Sequence, residues 1–172
     1  EKAEATRLLQ KEAPIVNTTQ DLHFDCTGKT ILIVEDEKEL REYLIESFTG
    51  TFKKVYAADN AISALETCRK KQPSIIVSDV MMPQIDGFEL CRQIKNDIRI
   101  SHIPVILLTA RYDQTGITTG YKSGADSYIP KPFDLAFLKV VVGNILKNRE
   151  KIHSQYVTVT GSPSLLDLTN SK

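Results

Sequence analysis

The segment Thr30-Ile31-Leu32-Ile33-Val34-Glu35-Asp36 decides the fold of this 172-residue chain. Its apolar, largely β-branched run is typical of a strand that is covered on both faces, as strands in parallel sheets are. The acids that follow indicate that the strand ends at a polar edge. Outward from this segment the pattern recurs and predicts further short strands at 55–58, 75–78, 104–109 and 127–129.

Segments with helical periodicity separate these strands. Strands alternating with helices build βαβ units, which predict an α/β fold with a parallel sheet between two layers of helices. The fourth predicted helix, 113–123, contains Gly116 and Gly120. Because glycine weakens helices, we expect this helix to be among the least stable elements.

The composition is that of an ordinary globular domain, with 41% hydrophobic and 26% charged residues. Basic and acidic residues both number 22, so no global field draws the chain to nucleic acid or a membrane surface. No apolar run is long enough to span a bilayer. The cysteines lack metal-ligand spacing and predict reduced thiols and a cytoplasmic location. Polar segments predict linkers at 1–28 and 153–172 around a domain at 29–152.

Polar side chains stand at the carboxyl ends of several predicted strands. Glu35 and Asp36 follow the first strand, Asp79 the third, Thr109 ends the fourth and Lys131 follows the fifth. Because parallel strands end at one edge of a sheet, these groups should converge in one crevice. Singly, each has an ordinary explanation, since an aspartate after a strand often caps a helix and a lysine is usually solvated. Their joint occurrence favours a functional site.

Carboxylates crowded in one crevice repel one another, by about 4 kcal/mol for two unit charges ~4 Å apart at an effective dielectric constant near 20. A hard divalent cation relieves this repulsion. Mg²⁺ suits the site because it binds through few carboxylates and coordinates phosphate oxygens. Phosphoryl transfer depends on such positioning and charge neutralisation. Asp79 would be the nucleophile, and Lys131 and the Thr109 hydroxyl would contact phosphoryl oxygens.

Four motifs occur in order along the chain: Ile31-Leu32-Ile33-Val34-Glu35-Asp36-Glu37, Ser78-Asp79-Val80-Met81-Met82-Pro83 with Asp86-Gly87-Phe88, Leu108-Thr109-Ala110, and Gly124-Ala125-Asp126-Ser127-Tyr128-Ile129-Pro130-Lys131-Pro132-Phe133. Together they resemble the receiver domain of two-component response regulators, over about 29–152. The resemblance implies a flavodoxin-like, doubly wound (βα)5 fold with a five-stranded parallel sheet in the order 2-1-3-4-5. It also implies a signalling switch that is phosphorylated on Asp79.

The resemblance assigns roles to individual residues. The Mg²⁺ ligands that it implies are Glu35, Asp36, Asp79 and the backbone carbonyl of Met81. It implies that Thr109 and Tyr128 move together as a switch. Their movement would remodel the face made by the fourth predicted helix, the fifth strand and the last helix, which is also a candidate dimer interface.

The loops around the site carry further expectations. The resemblance implies a cis peptide bond between Lys131 and Pro132. Pro83 and Gly87 would shape the loop after Asp79, and we expect Gly87 to adopt positive φ so that the loop turns back over the site.

The resemblance also implies partners. A histidine kinase would be the phosphodonor. Segments 91–107 and 146–156 are similar to receivers inside hybrid two-component proteins, in which a sensor kinase, a receiver and often an AraC-type DNA-binding domain share one polypeptide. By this likeness 153–172 leads towards an output domain, whereas the chain itself binds no nucleic acid directly and has no membrane segment.

Two other functions stay open on the sequence. An Mg²⁺-dependent aspartyl-phosphate hydrolase would turn over repeatedly, which a receiver does not, but it normally has an acid two residues after its nucleophile, where Met81 stands. A flavin-binding module shares the predicted sheet, but its phosphate-binding loop is rich in Ser, Thr and Gly. Here that loop is Glu35-Asp36-Glu37.

Overall fold

The computed structural model describes residues 26–110 and 122–160, with the backbone alone for 156–160. The elements in these ranges are β1 (Cys26–Val34), α1 (Lys38–Phe48), β2 (Phe52–Ala58), α2 (Ala61–Lys71), β3 (Ile75–Asp79), α3 (Gly87–Asn96), β4 (Val105–Thr109), β5 (Ser127–Pro130) and α4 (Leu135–Thr160). The strands form one parallel sheet in the order β2-β1-β3-β4-β5. The predicted α/β fold and strand order are confirmed.

The register of the sheet brings the carboxyl ends of the strands together. Val34 at the end of β1 lies beside Ser78 of β3, and Asp79 lies beside Leu108 of β4. β5 is aligned with β4 in the same way, so that Thr109 faces Pro130. The polar residues at the ends of β1, β3 and β5 therefore occupy neighbouring positions along one edge.

Apolar side chains hold a helix layer on each face of the sheet. In β1, Ile31 and Ile33 face α1 and α4, whereas Leu32 and Val34 face α2 and α3. This alternation is the period of a strand buried on both sides. All four side chains are buried almost completely, and each such burial stabilises the fold by about 1.5–3 kcal/mol.

Two helices on one face begin at side-chain caps. The Asn60 side chain accepts a hydrogen bond from the Ser63 amide at the start of α2, at 2.9 Å. The Asp86 side chain accepts one from the Glu89 amide at the start of α3, at 2.8 Å. Such caps contribute about 1 kcal/mol each. The second cap fixes the beginning of α3 after the loop that follows Asp79.

The regular structure extends beyond both predicted domain boundaries. β1 begins at Cys26, which pairs with Phe52 before a register shift, rather than after residue 28. α4 continues to Thr160 rather than ending near 152, and an ion pair between Lys29 and Glu150 (2.8 Å) ties it to β1. The rest of the predicted linkers, 1–25 and 161–172, and nearly all of the predicted fourth helix (113–121 of 113–123) lie outside the described residues.

The last helix is the longest element of the structure. Its 26 residues correspond to about 39 Å. Neither α4 nor any other helix in the described part of the chain is apolar enough over a sufficient length to cross a membrane.

Candidate functional site

Residues predicted at the strand ends meet at the carboxyl edge of the sheet. Glu35, Asp36 and Asp79 each place a carboxylate oxygen within 4.8 Å of the others. Lys131, just after β5, places its Nζ 2.9 Å from Glu35 Oε2 and 3.0 Å from Asp79 Oδ1. The ends of β1, β3 and β5 therefore contribute to one cluster of charges.

Burial and mutual charge shape the electrostatics of this cluster. Glu35 is 1% exposed and Asp79 is 4% exposed. Burial raises the pKa of Glu35, helped by the charge of Asp79 and opposed by the hydrogen bond from Lys131. Burial works to lower the pKa of Lys131, but the contacts with Glu35 and Asp79 outweigh it and raise that pKa. The lysine is therefore charged at neutral pH, one ammonium against three carboxylates.

One oxygen of Asp79 lacks a hydrogen bond. Asp79 Oδ1 is buried, and within the described residues no donor reaches it with hydrogen-bond geometry, although Lys131 Nζ lies 3.0 Å away as an ion-pair partner. Carboxylate oxygens with free coordination capacity are the ligands that a hard cation such as Mg²⁺ prefers. The cluster therefore fits such an ion.

The backbone around Asp79 is tightly constrained. The Ser78 hydroxyl donates to the Asp79 carbonyl at 2.9 Å, and the Val80 amide donates to Leu108 of β4 at 2.9 Å. The Gly87 amide in turn donates to the Val80 carbonyl at 2.9 Å. Asp79, the last residue of β3, is thus held between the neighbouring strand β4 and Gly87, the first residue of α3.

The expected positive φ at Gly87 is wrong. The loop turns at Gln84 instead, with φ of 68°, and Gly87 has the ordinary backbone of a helix start. Glycine is needed there for space, because a Cβ at this position would lie 2.2 Å from the Asp79 carbonyl oxygen. The sequence motif located a required glycine but could not distinguish a turn from a close approach.

The predicted switch residues lie beside the cluster. Thr109 is fully buried at the end of β4, and its carbonyl accepts a hydrogen bond from the Lys131 amide at 2.6 Å. Tyr128 is half-buried and its ring stacks on Phe88, with ring centroids 6.2 Å apart and 11° between the planes. Their coupled movement stays a prediction.

The loop residues are placed as follows. The peptide bond between Lys131 and Pro132 is cis, as the resemblance implied. Met81 lies two residues after Asp79 and is 51% exposed. The Pro83 carbonyl accepts a hydrogen bond from the Ile85 amide at 2.9 Å, within the same loop. The role of the Met81 carbonyl as a ligand stays a prediction.

Sequence reasoning missed one contact to the acidic loop. Arg41, in the first turns of α1, donates from one guanidinium nitrogen to the carbonyls of Glu35 (2.7 Å) and Asp36 (3.1 Å). An arginine in a helix is usually solvated, so nothing in the sequence marks it. Only the approach of α1 to the end of β1 reveals the contact.

Comparisons with known proteins agree with this geometry. The family model for the response regulator receiver domain matches residues 31–142. Histidine kinase P4 of Formosa agariphila is 40% identical over 140 residues, a match that covers 81% of this chain and 10% of that protein. Transcriptional regulatory protein AfsQ1 of Streptomyces coelicolor is 38% identical over 122 residues, covering 71% of this chain and 53% of that one. The chain thus spans only part of the length of these relatives.

A solved structure shows the same fold. The signal receiver domain of a signal transduction histidine kinase from Syntrophus aciditrophicus matches with a TM-score of 0.64 and 35% identity, over 70% of this chain and 92% of that one. The comparisons therefore support the receiver function that the sequence motifs implied, and they give no support to the hydrolase or the flavin module. With its sheet order, its acidic edge and these matches, this chain belongs to the family of response regulator receiver domains, which act in two-component signalling.

Proposed function

We propose that Asp79 is the residue of this receiver that accepts the phosphoryl group, from a histidine kinase and with Mg²⁺. The observation that carries the proposal is the buried Asp79 Oδ1, whose described partner is the ammonium of Lys131 at 3.0 Å, which Asp79 shares with Glu35. The same residue lies within 4.8 Å of the acidic ligand atoms of Glu35 and Asp36 and beside the ammonium of Lys131. A buried carboxylate kept short of hydrogen bonds among fixed charges is poised for chemistry rather than for stability.

The transfer forms one bond and breaks another. A carboxylate oxygen of Asp79 attacks the phosphorus of a phosphohistidine. The P–N bond breaks, its electron pair stays on the imidazole nitrogen, and an acyl phosphate forms on Asp79. Lys131 then exchanges its contact with Asp79 for a phosphoryl oxygen, and the Thr109 hydroxyl donates to another.

The acidic residues would hold the metal ion. Its ligands would be carboxylates of Glu35, Asp36 and Asp79 together with the Met81 carbonyl. When bound, Mg²⁺ supplies positive charge that neutralises the carboxylates and the incoming phosphoryl oxygens.

The signal would leave the site through Lys131 and its neighbours. The Lys131 amide donates a hydrogen bond to the Thr109 carbonyl, so a displacement of the Lys131 backbone would also move the end of β4. Tyr128, stacked on Phe88, would change its packing in response and remodel the face that includes β5 and α4. The remainder of that face falls at 113–121, outside the described residues, and the same face is our candidate for a dimer interface.

The wider setting is part of the proposal. A receiver at 29–152 would work within a longer signalling protein, with its kinase in the same polypeptide or in a partner and a DNA-binding output domain downstream. The names of the relatives, one a histidine kinase and one a transcriptional regulator, support this setting. The buried thiols of Cys68 and Cys91 support a cytoplasmic location, since thiols stay reduced there.

Phosphorylation of the isolated chain tests the proposal. With Mg²⁺ and acetyl phosphate, intact mass spectrometry should show one added phosphoryl group on the wild type and none on Asp79→Asn. The matched control is Asp59→Asn, because Asp59 is an exposed aspartate just after β2 at the same edge. It should be phosphorylated like the wild type. Equal labelling of Asp79→Asn, or labelling that persists when Mg²⁺ is chelated, would contradict the proposal.

A further inference from the structure

We infer that Arg41 is a positioning residue for the metal site, holding the backbone that carries the acidic ligands Glu35 and Asp36. The inference rests on the proposed function, since it concerns how tightly that site binds Mg²⁺. Arg41 touches neither carboxylate in the described contacts; it acts through the two carbonyls that it binds.

Arg41 links α1 to the end of β1 through two hydrogen bonds. One guanidinium nitrogen bonds the Glu35 carbonyl at 2.7 Å and the Asp36 carbonyl at 3.1 Å. On its other side the Glu35 amide donates to Ala58 of β2 at 3.1 Å. The peptide units before and after Asp36 are thereby fixed, and with them the direction in which its exposed carboxylate leaves the backbone.

Asp36 is the ligand that most needs this support. Glu35 is buried and bonded to Lys131, and Asp79 is buried at the end of β3. Asp36 is exposed, so packing does not restrict it in the same way. A metal ligand must be held close to its working geometry before the ion binds, otherwise ordering it weakens the affinity. The bond from Arg41 provides that order.

Two effects of Arg41 on Mg²⁺ oppose each other. Its positive charge repels a cation, so removing it should tighten binding by Coulomb's law. Its hydrogen bonds orient the ligand loop, so removing them should weaken binding, and losing such outer contacts typically costs about 10–100-fold in metal affinity. We expect orientation to dominate, because the charge is directed at carbonyl oxygens and is screened by water at this edge.

A pair of substitutions separates the two effects. Arg41→Lys keeps the charge but has a different reach and donor geometry from the guanidinium nitrogen that bonds both carbonyls, and Arg41→Met loses the charge and the donors. The matched control is Arg69→Lys, because Arg69 also makes a side-chain hydrogen bond, to Asp97 (3.1 Å), in the last turn of α2 far from the acidic edge. Each protein is titrated with Mg²⁺ alone and followed by ¹H–¹⁵N NMR, with thermal unfolding recorded in parallel.

We expect Arg41→Met to bind Mg²⁺ about tenfold more weakly than the wild type, Arg41→Lys to be weakened as well, and Arg69→Lys to be unchanged. Phosphorylation by acetyl phosphate should need correspondingly more Mg²⁺ but reach the wild-type rate at saturation. That split separates positioning of the ligands from a direct part in the transfer.

Other results overturn the inference. If Arg41→Met binds Mg²⁺ more tightly while Arg41→Lys is unchanged, the charge of Arg41 matters and its hydrogen bonds do not. If both variants lose thermal stability but keep wild-type affinity, Arg41 only stabilises α1. Should Arg41→Met fail to fold, Arg41→Lys alone decides the matter by the same criterion. A wild type that neither binds Mg²⁺ nor takes up phosphate would refute the proposed function itself.

Discussion

Asp126, at the amino end of the sheet, and Asp79, at the carboxyl end, are both aspartates beside a lysine, but the side chain of Asp126 is 25% exposed and that of Asp79 is 5% exposed. The carboxylate of Asp126 has three partners: Lys95 Nζ lies 2.7 Å away, Arg149 lies 3.3 Å away, and the Val105 amide donates a hydrogen bond at 2.9 Å. Asp79 shares the single ammonium of Lys131 with Glu35, and its Oδ1 lacks a hydrogen bond within the described residues.

The pKa shifts at the two ends have opposite directions. At the amino end burial works to raise the pKa of Asp126, but the bonds from Lys95 and Val105 outweigh it and lower that pKa. At the carboxyl end burial and the charge of Asp79 raise the pKa of Glu35 despite the bond from Lys131. The comparison teaches that the charges at the amino end have several partners each, whereas the acids at the carboxyl end share one ammonium, which is the pattern expected of a functional site rather than a stabilising one.

The largest effect should come from crowding the backbone at the carboxyl end. Gly87→Ala places a methyl group 2.2 Å from the Asp79 carbonyl oxygen, so β3 or α3 must shift. We expect a loss of about 3 kcal/mol in the free energy of unfolding, measured with urea. Gly28→Ala, near the amino end of β1, is the control, because nothing lies within 4 Å of its added Cβ. Equal stability of the two variants would show that Gly87 is not required for space.

The amino-end cluster should lose stability when its charge is removed. Asp126→Asn keeps the shape but weakens the bonds to Lys95 and Arg149. Because Asp126 is exposed and solvent screens these bonds, we expect a loss of about 1–1.5 kcal/mol in the free energy of unfolding. Chemical denaturation measures the change. Glu66→Gln, which removes an exposed ion pair with Lys70 on α2, should change stability by less than about 0.5 kcal/mol. If Asp126→Asn left the free energy of unfolding unchanged, the contrast between the two ends of the sheet would be refuted.

Replacing the aspartate at the carboxyl end by asparagine should raise the stability of the fold rather than lower it. Without divalent cations, Asp79→Asn removes a buried charge that repels Glu35 and leaves Lys131 to pair with Glu35 alone. We expect the variant to be more stable than the wild type by about 1 kcal/mol in thermal unfolding. Added Mg²⁺ should stabilise the wild type more than the variant. A variant clearly less stable than the wild type without Mg²⁺ would mean that Asp79 is a structural residue.

The smallest effect should appear as a pH dependence. The pKa of Asp126 is lowered in the folded state, so its contribution is complete above the unfolded value of about 3.9 and is lost as pH falls through the folded pKa. The stability difference between wild type and Asp126→Asn should therefore be constant from about pH 7 to pH 5 and shrink below about pH 4. Urea titrations at each pH measure it. A difference that stays the same in acid would rule out the ionised Asp126 as its source.

Much of the fold followed from local pattern. Apolar runs such as 31–34 and 75–77 predicted buried parallel strands, and the acids and lysine after them predicted the edge at which Glu35, Asp79 and Lys131 meet. The ends of the outer elements were predicted less accurately. β1 begins at Cys26, where the pairing with Phe52 is a tertiary contact that no local pattern shows, and α4 runs to Thr160. The motif identified Gly87 as a required glycine, but it did not reveal the close approach of the Asp79 carbonyl that requires it.

By itself the sequence determined which residues could react, because the residue types at the strand ends fix the charges and the period of the strands fixes the edge on which they gather. Only the tertiary structure decided how well each charge is compensated. Lys131 is shared between two acids, Asp126 is given a full set of partners, and Arg41 reaches two carbonyls of the acidic loop. Compensation depends on distances of a few ångströms between segments far apart in the chain, and no local pattern encodes those distances.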